Sequence, residues 1–191
     1  RYINAELVGF YMTIRDMIAA ARGTAFTNLE MVTSTGVESA LKLKLSQANE
    51  WLPDLFCNYT YLMTEVHDGI LTTSAISDTI VPDVSGNELP YAPNHNLILG
   101  LNYSIKGLVD LMFNYRYVSQ SFSDYENIEY IFNRGDTGPI PAYWLFNASI
   151  NVHVKNKFRA FITAKNIFDK QYIGSRLHSN PGQTNASSSS G

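Results

Sequence analysis

In residues 108–119, LVDLMFNYRYVS, Leu111, Phe113, Tyr115 and Tyr117 fill one set of alternate positions, and Asp110, Met112, Asn114 and Arg116 the other. Successive side chains of an extended chain point to opposite faces, so the stretch reads as a strand with one apolar and one polar side. That pattern serves two environments. In a soluble sheet the apolar side is core. In an outer-membrane barrel it meets lipid, and the polar side lines the lumen.

The same alternation recurs along the chain. Within residues 26–46, Val37, Leu41, Leu43 and Leu45 oppose Glu38, Lys42 and Lys44. Within 55–66, Leu55, Cys57, Tyr59, Tyr61 and Met63 oppose Asn58, Thr60 and Thr64. In 94–104, Leu97, Leu99, Leu101 and Tyr103 oppose Asn96, Gly100 and Asn102, and in 142–154 Phe146, Ala148, Ile150, Val152 and Val154 oppose Asn147, Ser149, Asn151 and His153. Residues 158–172 begin with Ala160, Ile162 and Ala164 facing away from Arg159, Thr163 and Lys165, and the alternation is lost at Asn166, where a bulge or the membrane boundary is expected. Residues 2–20 are also strand-like, but both alternating sets are mixed and no outward face can be assigned. About seven strands are expected, all β.

The connections separate the two environments. QANEWLPDL, IKGL and KNK are short, whereas 67–90, 120–141 and the terminal 173–191 are long. Long structureless connections are uncommon in compact soluble domains. Short turns on one side and long loops on the other are the habit of outer-membrane barrels. Only the first loop, ARGTA, is short on the long side. Strand lengths fit a bilayer, which about 9–11 tilted residues cross. Aromatic residues near strand ends (Tyr115, Tyr117, Tyr143, Trp144, Phe168, Tyr172) suit interfacial girdles.

Composition narrows the function classes. Charged residues are 16% and the net charge is −3, with no basic run, so no nucleic-acid partner is expected. The single cysteine, Cys57, excludes an internal disulfide and any multi-cysteine metal site, and its alternation set points it to lipid beside Tyr59 and Tyr61. No apolar run reaches the length of a membrane-spanning helix, which says nothing against a barrel. The four histidines, His67, His95, His153 and His178, lack ligand spacing, and no nucleophile elbow, phosphate loop or paired-carboxylate motif occurs. An enzyme, a cofactor and a metal site are therefore not expected. RYINAELVGF has no signal-peptide pattern, so the chain reads as part of a longer protein.

Four stretches go beyond pattern: TSTGVESALKLKL (33–45), NELPYAPNHNLILGLNY (87–103), IPAYWLFNASINVHV (140–154) and AKNIFDKQYIGSRLHSNPG (164–182). Their order and spacing resemble late barrel strands of TonB-dependent outer-membrane receptors. The resemblance implies a seven-strand segment of a 22-stranded antiparallel barrel, with residues 1–182 as the late barrel portion and 183–191 as a polar Ser-rich loop end or tail. The plug domain and last strand would lie outside the chain. It further implies a Gram-negative outer membrane with its lipid and lipopolysaccharide, an iron chelate or other scarce nutrient as cargo, and TonB, engaged through the plug, as energy source. Cargo-binding candidates on the loops are Tyr125, Tyr130, Arg134, Asp136, Arg176 and His178, whose arginines and rings suit an anionic ferric chelate. Lumen- or plug-facing candidates are Glu38, Lys42, Lys44, Arg116 and Lys165. A small passive barrel and a secreted ligand-binding β-sandwich are the alternatives.

Overall fold

The computed structural model describes residues 2–20, 26–70, 83–105, 107–131, 138–154 and 158–176. Seven strands form one antiparallel sheet in chain order: β1 (Ile3–Ala20), β2 (Phe26–Leu43), β3 (Asp54–Gly69), β4 (His95–Ile105), β5 (Val109–Val118), β6 (Tyr143–Val154) and β7 (Phe158–Ala164). The sheet is an open wall, its two outer strands each paired on one side only. Leu45, expected on the second strand, lies instead in a 3-10 turn, Leu45–Gln47. The last strand ends at Ala164, well short of 172.

Register shows how the wall is tilted. Ile3, Leu43, Leu55, Leu101, Phe113, Ala148 and Ala164 form one unbroken row of directly paired residues. It runs from the first residue of β1 to the last residue of β7. Every member is apolar. Six gaps of about 4.8 Å make the row ~29 Å wide, so at a barrel tilt of about 40° its β7 end stands ~19 Å higher. Such stagger is what closing a sheet into a barrel requires.

The pairing also assigns the face that alternation left open. Ile3, Ala5, Leu7, Gly9 and Tyr11 stand opposite Leu43, Leu41, Ser39, Val37 and Thr35, so they share the apolar face. Asn4, Glu6, Val8, Phe10 and Met12 join Lys42, Ala40, Glu38, Gly36 and Ser34 on the polar face. Large apolar side chains cover the first face without protein cover: Leu7, Tyr11 and Ile162 are each at least 70% exposed. On the polar face, the Phe10 ring occupies the space that a Cβ on Gly36 would need, and the Phe56 ring does the same for Gly100. Each ring lies over its directly paired glycine, an arrangement that restores the apolar cover the glycine lacks.

Strands β1, β2 and β3 extend beyond the others, and there the two faces exchange character. Thr33, Glu65 and His67 continue the apolar face, with Thr33 Oγ1 2.8 Å from His67 Nε2 and Glu65 3.7 Å from the same ring. The continuation of the polar face becomes core: Leu29, Val32 and Val66 are fully buried with Ala19 and with Val84 from the 83–94 segment. Ile14, Met17, Leu89 and Tyr125 pack against them. Asp16 takes a left-handed backbone (φ 54°), and the β2–β3 register shifts between Leu29 and Val32. These irregularities slip the alternation by one residue. That slip, with the exchange of faces, explains why 2–20 has no single pattern.

Candidate functional site at the loop-side rim

The rim is built from four chain segments: 83–94 and 119–131, which reach the tall part of the sheet through Val84, Leu89 and Tyr125, and 138–142 and 165–176, which lie at the loop-side end of β6. The first is tied down by ladder-like bonds, Val66 N–H to Asn87 O at 2.9 Å and Gly86 N–H to Val66 O at 2.6 Å. Leu89 N–H donates to Thr64 Oγ1 at 2.9 Å, so a buried threonine on β3 holds the loop against the wall.

The first two segments are clasped reciprocally by Asn127. Its Nδ2 donates to Glu88 O at 2.9 Å, and its Oδ1 accepts from Glu88 N–H at 2.7 Å. Asn127 itself is left-handed (φ 53°), a conformation asparagine tolerates because its short amide can bond locally. Asp124 Oδ1 closes the same turn by accepting from Ile128 N–H at 3.1 Å. Asn87 adds a bond to Tyr125 O at 2.8 Å. None of these asparagines was among the sequence-based candidates. Their trace in the sequence is the Asp-x-x-Asn of DYEN, a turn-former pair at close spacing.

Tyr91 explains the Pro-bracketed PYAP stretch. Its φ is 58°, strained for an aromatic residue, and it is pinned by its own N–H to Phe122 O at 2.8 Å and its hydroxyl to Arg176 O at 3.3 Å. The flanking prolines, Pro90 and Pro93, have fixed φ and reduce the alternatives open to the chain.

A second network holds the segment after β7. Asn147 on β6 donates to Asn114 Oδ1 on β5 at 2.8 Å and accepts from Asn166 N–H at 2.9 Å. Asn166 (φ 51°) then clasps Lys170 both ways, accepting from its N–H at 2.9 Å and donating to its carbonyl at 3.1 Å. Asp169 (φ 47°) completes the turn through its N–H to Asn166 O at 2.9 Å. The expected interruption at Asn166 is thus a left-handed turn. Asn166→Ala is expected to cost about 2 kcal/mol, combining the penalty for a left-handed residue with two lost bonds. Asn166→Gly should recover about half of it, as read from urea midpoints of the folded barrel. A glycine variant weaker than the alanine one would refute this account.

Around that turn the expected aromatic girdle divides between the faces. Tyr115, Tyr117, Trp144 and Phe146 share the apolar face, where Phe168 meets Phe146 edge-on with centroids 5.2 Å apart and Lys170 lies 5.7 Å over Trp144. Tyr143 belongs to the polar face and stacks on Tyr172 at 4.6 Å.

Of the loop candidates, Tyr125, Tyr130 and Arg176 are placed; Arg134, Asp136 and His178 lie outside the described residues, as does 183–191. Tyr130 is 61% exposed. Tyr125 is half-buried against the rim core, and burial raises its phenol above the ordinary tyrosine value. The neutral phenol therefore favours the closed rim, a contribution complete below the ordinary value and lost as pH rises through the raised one. Tyr125→Phe is expected to remove one alkaline-shifted phenol from the phenolate absorbance titration, and a titration with that shifted phenol still present would refute the assignment. Arg176 is 6% exposed, with Nε donating to Gly138 O at 2.8 Å and Nη2 to Pro139 O at 2.7 Å. The rim thus brings Tyr125 and Arg176 into one packed unit, both engaged by protein.

Of the wall candidates, Glu38, Lys42 and Arg116 stand on the polar face. Lys44 and Lys165 each lie one residue beyond the ends of β2 and β7. Near the short-turn end an open hollow of about 360 Å³ is lined partly by Asn4, Glu6, Lys42, Phe56, Asn58 and Asn102. Among the described residues, no group of three or more His, Cys, Asp or Glu is placed to hold a metal ion.

A family model described as TonB dependent receptor-like, beta-barrel, matches residues 1–167. The chain belongs to the TonB-dependent receptor family. Among solved structures, the unliganded ferric citrate transporter FecA aligns with TM-score 0.70 at 22% identity, over 90% of this chain and 25% of that one. The siderophore receptor PiuA from Acinetobacter baumannii aligns with TM-score 0.68 at 17% identity, over 93% and 23%. The ferric yersiniabactin uptake receptor FyuA from Yersinia pestis gives 0.65 at 15%, over 91% and 23%. At these identities the likeness is one of fold, and the chain spans about a quarter of each receptor's length. No curated protein sequence matches it. The tilted seven-stranded sheet is a segment of a TonB-dependent receptor barrel.

Proposed function

We propose that this chain is part of the wall and rim of an outer-membrane transporter for a scarce nutrient, with a ferric chelate as cargo and TonB as the energy source. The observation that carries this reading is the family match over 1–167, combined with a fold shared with three ferric-chelate receptors. The physical layout supports it. A row of apolar side chains without protein cover suits lipid on one side, and an Asn-, Ser- and Thr-rich face suits an aqueous or plugged lumen on the other.

In this reading Glu38, Lys42 and Arg116 face the lumen, and Lys44 and Lys165 flank it, available to pair with a plug. Tyr130, the most exposed of the three described loop candidates, is the one best placed to meet cargo, with Arg134, Asp136 and His178 as further loop candidates. A passive barrel and a soluble sandwich lack support from the family match.

The test is complementation. The full-length receptor, expressed in an iron-starved Gram-negative strain lacking its own chelate receptors, should restore growth on a panel of ferric siderophores and ferric citrate. Growth should vanish when tonB is deleted. Growth that persists without TonB would make the protein a passive pore, and no growth on any ferric chelate would remove iron from the proposal.

A further inference from the structure

Arg176 sits where four rim segments converge. Its guanidinium reaches the adjacent carbonyls of Gly138 and Pro139, at 2.8 and 2.7 Å. Gly138 O is shared, because Ser123 Oγ also donates to it at 2.8 Å and Ser123 is fully buried. Arg176's own carbonyl accepts from the Tyr91 hydroxyl, and Tyr91 N–H returns to Phe122 O, next to Ser123. A paired bridge between Ser121 and Ile140 (3.2 and 2.8 Å) ties the 119–131 segment to 138–142. The hydrogen bonds form a ring through 91, 122–123, 138–139 and 176.

Gly138 supplies the backbone that makes the ring possible. Its φ is 100°, and a Cβ there would come within 2.7 Å of Tyr130 O, so Tyr130 abuts the carbonyl pair that Arg176 grips. A buried guanidinium bonded by a planar fork to two carbonyls resists removal, since vacating it leaves acceptors unsatisfied in a dry site.

We propose that Arg176 is a positioning residue: it acts on cargo recognition without touching cargo, by holding Gly138 and Pro139 against the Tyr130 backbone and thereby fixing Tyr130 at the rim. This rests on the transport reading for its purpose, but its test does not. Tyr130 takes the contact role, and the rim on this side is preformed before ligand arrives.

The experiment uses the full-length receptor in detergent, without ligand, and follows hydrogen–deuterium exchange together with a nitroxide label at Y130C in a C57S background. R176A is expected to speed exchange at the Tyr91, Ser121 and Ile140 amides at least ten-fold and to increase label mobility, with the β4–β6 ladder unchanged. R176K should fall between, because one ammonium cannot reproduce the planar fork on two carbonyls. Unchanged exchange and label mobility in R176A would overturn the proposal. If R176A fails to assemble, R176K decides: raised exchange supports the lock, and wild-type exchange overturns it. Loss of binding to ferric citrate or a ferric hydroxamate in R176A with the rim amides undisturbed would make Arg176 a direct contact, which also overturns it. Failure of every chelate to bind would sink the cargo reading and leave the exchange result standing.

Discussion

Leu99→Arg is expected to cost about 2–4 kcal/mol of barrel stability, the penalty for a cation facing lipid near the bilayer midplane. Leu99 lies midway between His95 and Tyr103 on the apolar face of β4. From His95 to Tyr103 the strand runs ~27 Å at about 3.4 Å per residue, or ~20 Å along the axis at 40°, close to the ~25 Å apolar band of such barrels. Arginine scanned through His95, Leu97, Leu99, Leu101 and Tyr103 should therefore give a cost that peaks at Leu99 and falls to about 0–1 kcal/mol at both ends. At 1.4 kcal/mol per tenfold, the peak corresponds to a roughly 30- to 700-fold loss in folded population. Met112→Arg, on the opposite face of β5, should stay within about 0.5 kcal/mol. The fraction of receptor that assembles into a heat-modifiable form, and its unfolding in lipid vesicles, would report both. A soluble core also rejects arginine, but its penalty has no reason to follow depth. A flat profile, or one that is larger at Asn96, Ile98 and Asn102, would put lipid on the wrong side.

Val66→Asp is the second large effect, and it acts above the membrane. Val66 is fully buried among Leu29, Val32 and Val84, with Gly69 so close that a Cβ there would lie 2.9 Å from a Val66 methyl. A carboxylate in that site has no partner, and an uncompensated buried charge costs about 3–5 kcal/mol. The rim is expected to open rather than bury it. Protease should cut within 83–94 and 119–131 while the lower sheet stays folded and heat-modifiable. Val66→Ala, which removes only apolar area, should cost about 1.5–3 kcal/mol and leave the loops largely protected. Acidification should partly reverse the V66D effect, since the neutral acid is cheaper to bury than its ion. Protection unchanged in V66D would mean that the 83–94 segment does not rest on this core.

Much of the wall was legible in the sequence because a barrel strand inside a bilayer has one chemical rule for each face. Leu97, Leu99 and Leu101, or Phe146, Ala148 and Ile150, obey it without exception, and their pairing matches the alternation residue for residue. The rule fails for 2–20 because β1 leaves the membrane partway. Leu7 faces lipid on one side of the strand, while Ile14 and Ala19 face a loop-made core on the other, with Asp16 slipping the phase between them. No period describes both halves. The PYAP and KNIFDK stretches were legible as junctions, but not as the left-handed turns at Tyr91 and Asn166 that make them work. Arg176 shows the limit most clearly. Composition marks a loop arginine as an anion ligand, whereas only three-dimensional placement reveals two backbone carbonyls under its fork.

The unequal strands give this wall a step. β1 and β2 have 18 residues each and β3 has 16, but β4 and β5 have 11 and 10. After allowing for the stagger of the paired row, the tops of β1–β3 stand ~18 Å above those of β4 and β5, at about 3.4 Å per residue and 40° tilt. The drop occurs at a single boundary, between β3 and β4. The 83–94 and 119–131 segments lean on the high side, like a buttress filling the corner, so that parapet is stiffened from within. Over β4 to β7 the wall is a low sill. The height of the rim thus comes from paired backbone over β1–β3, whereas over β6 it comes from the 138–142 and 165–176 segments, held by side-chain amides and stacked rings in place of a ladder.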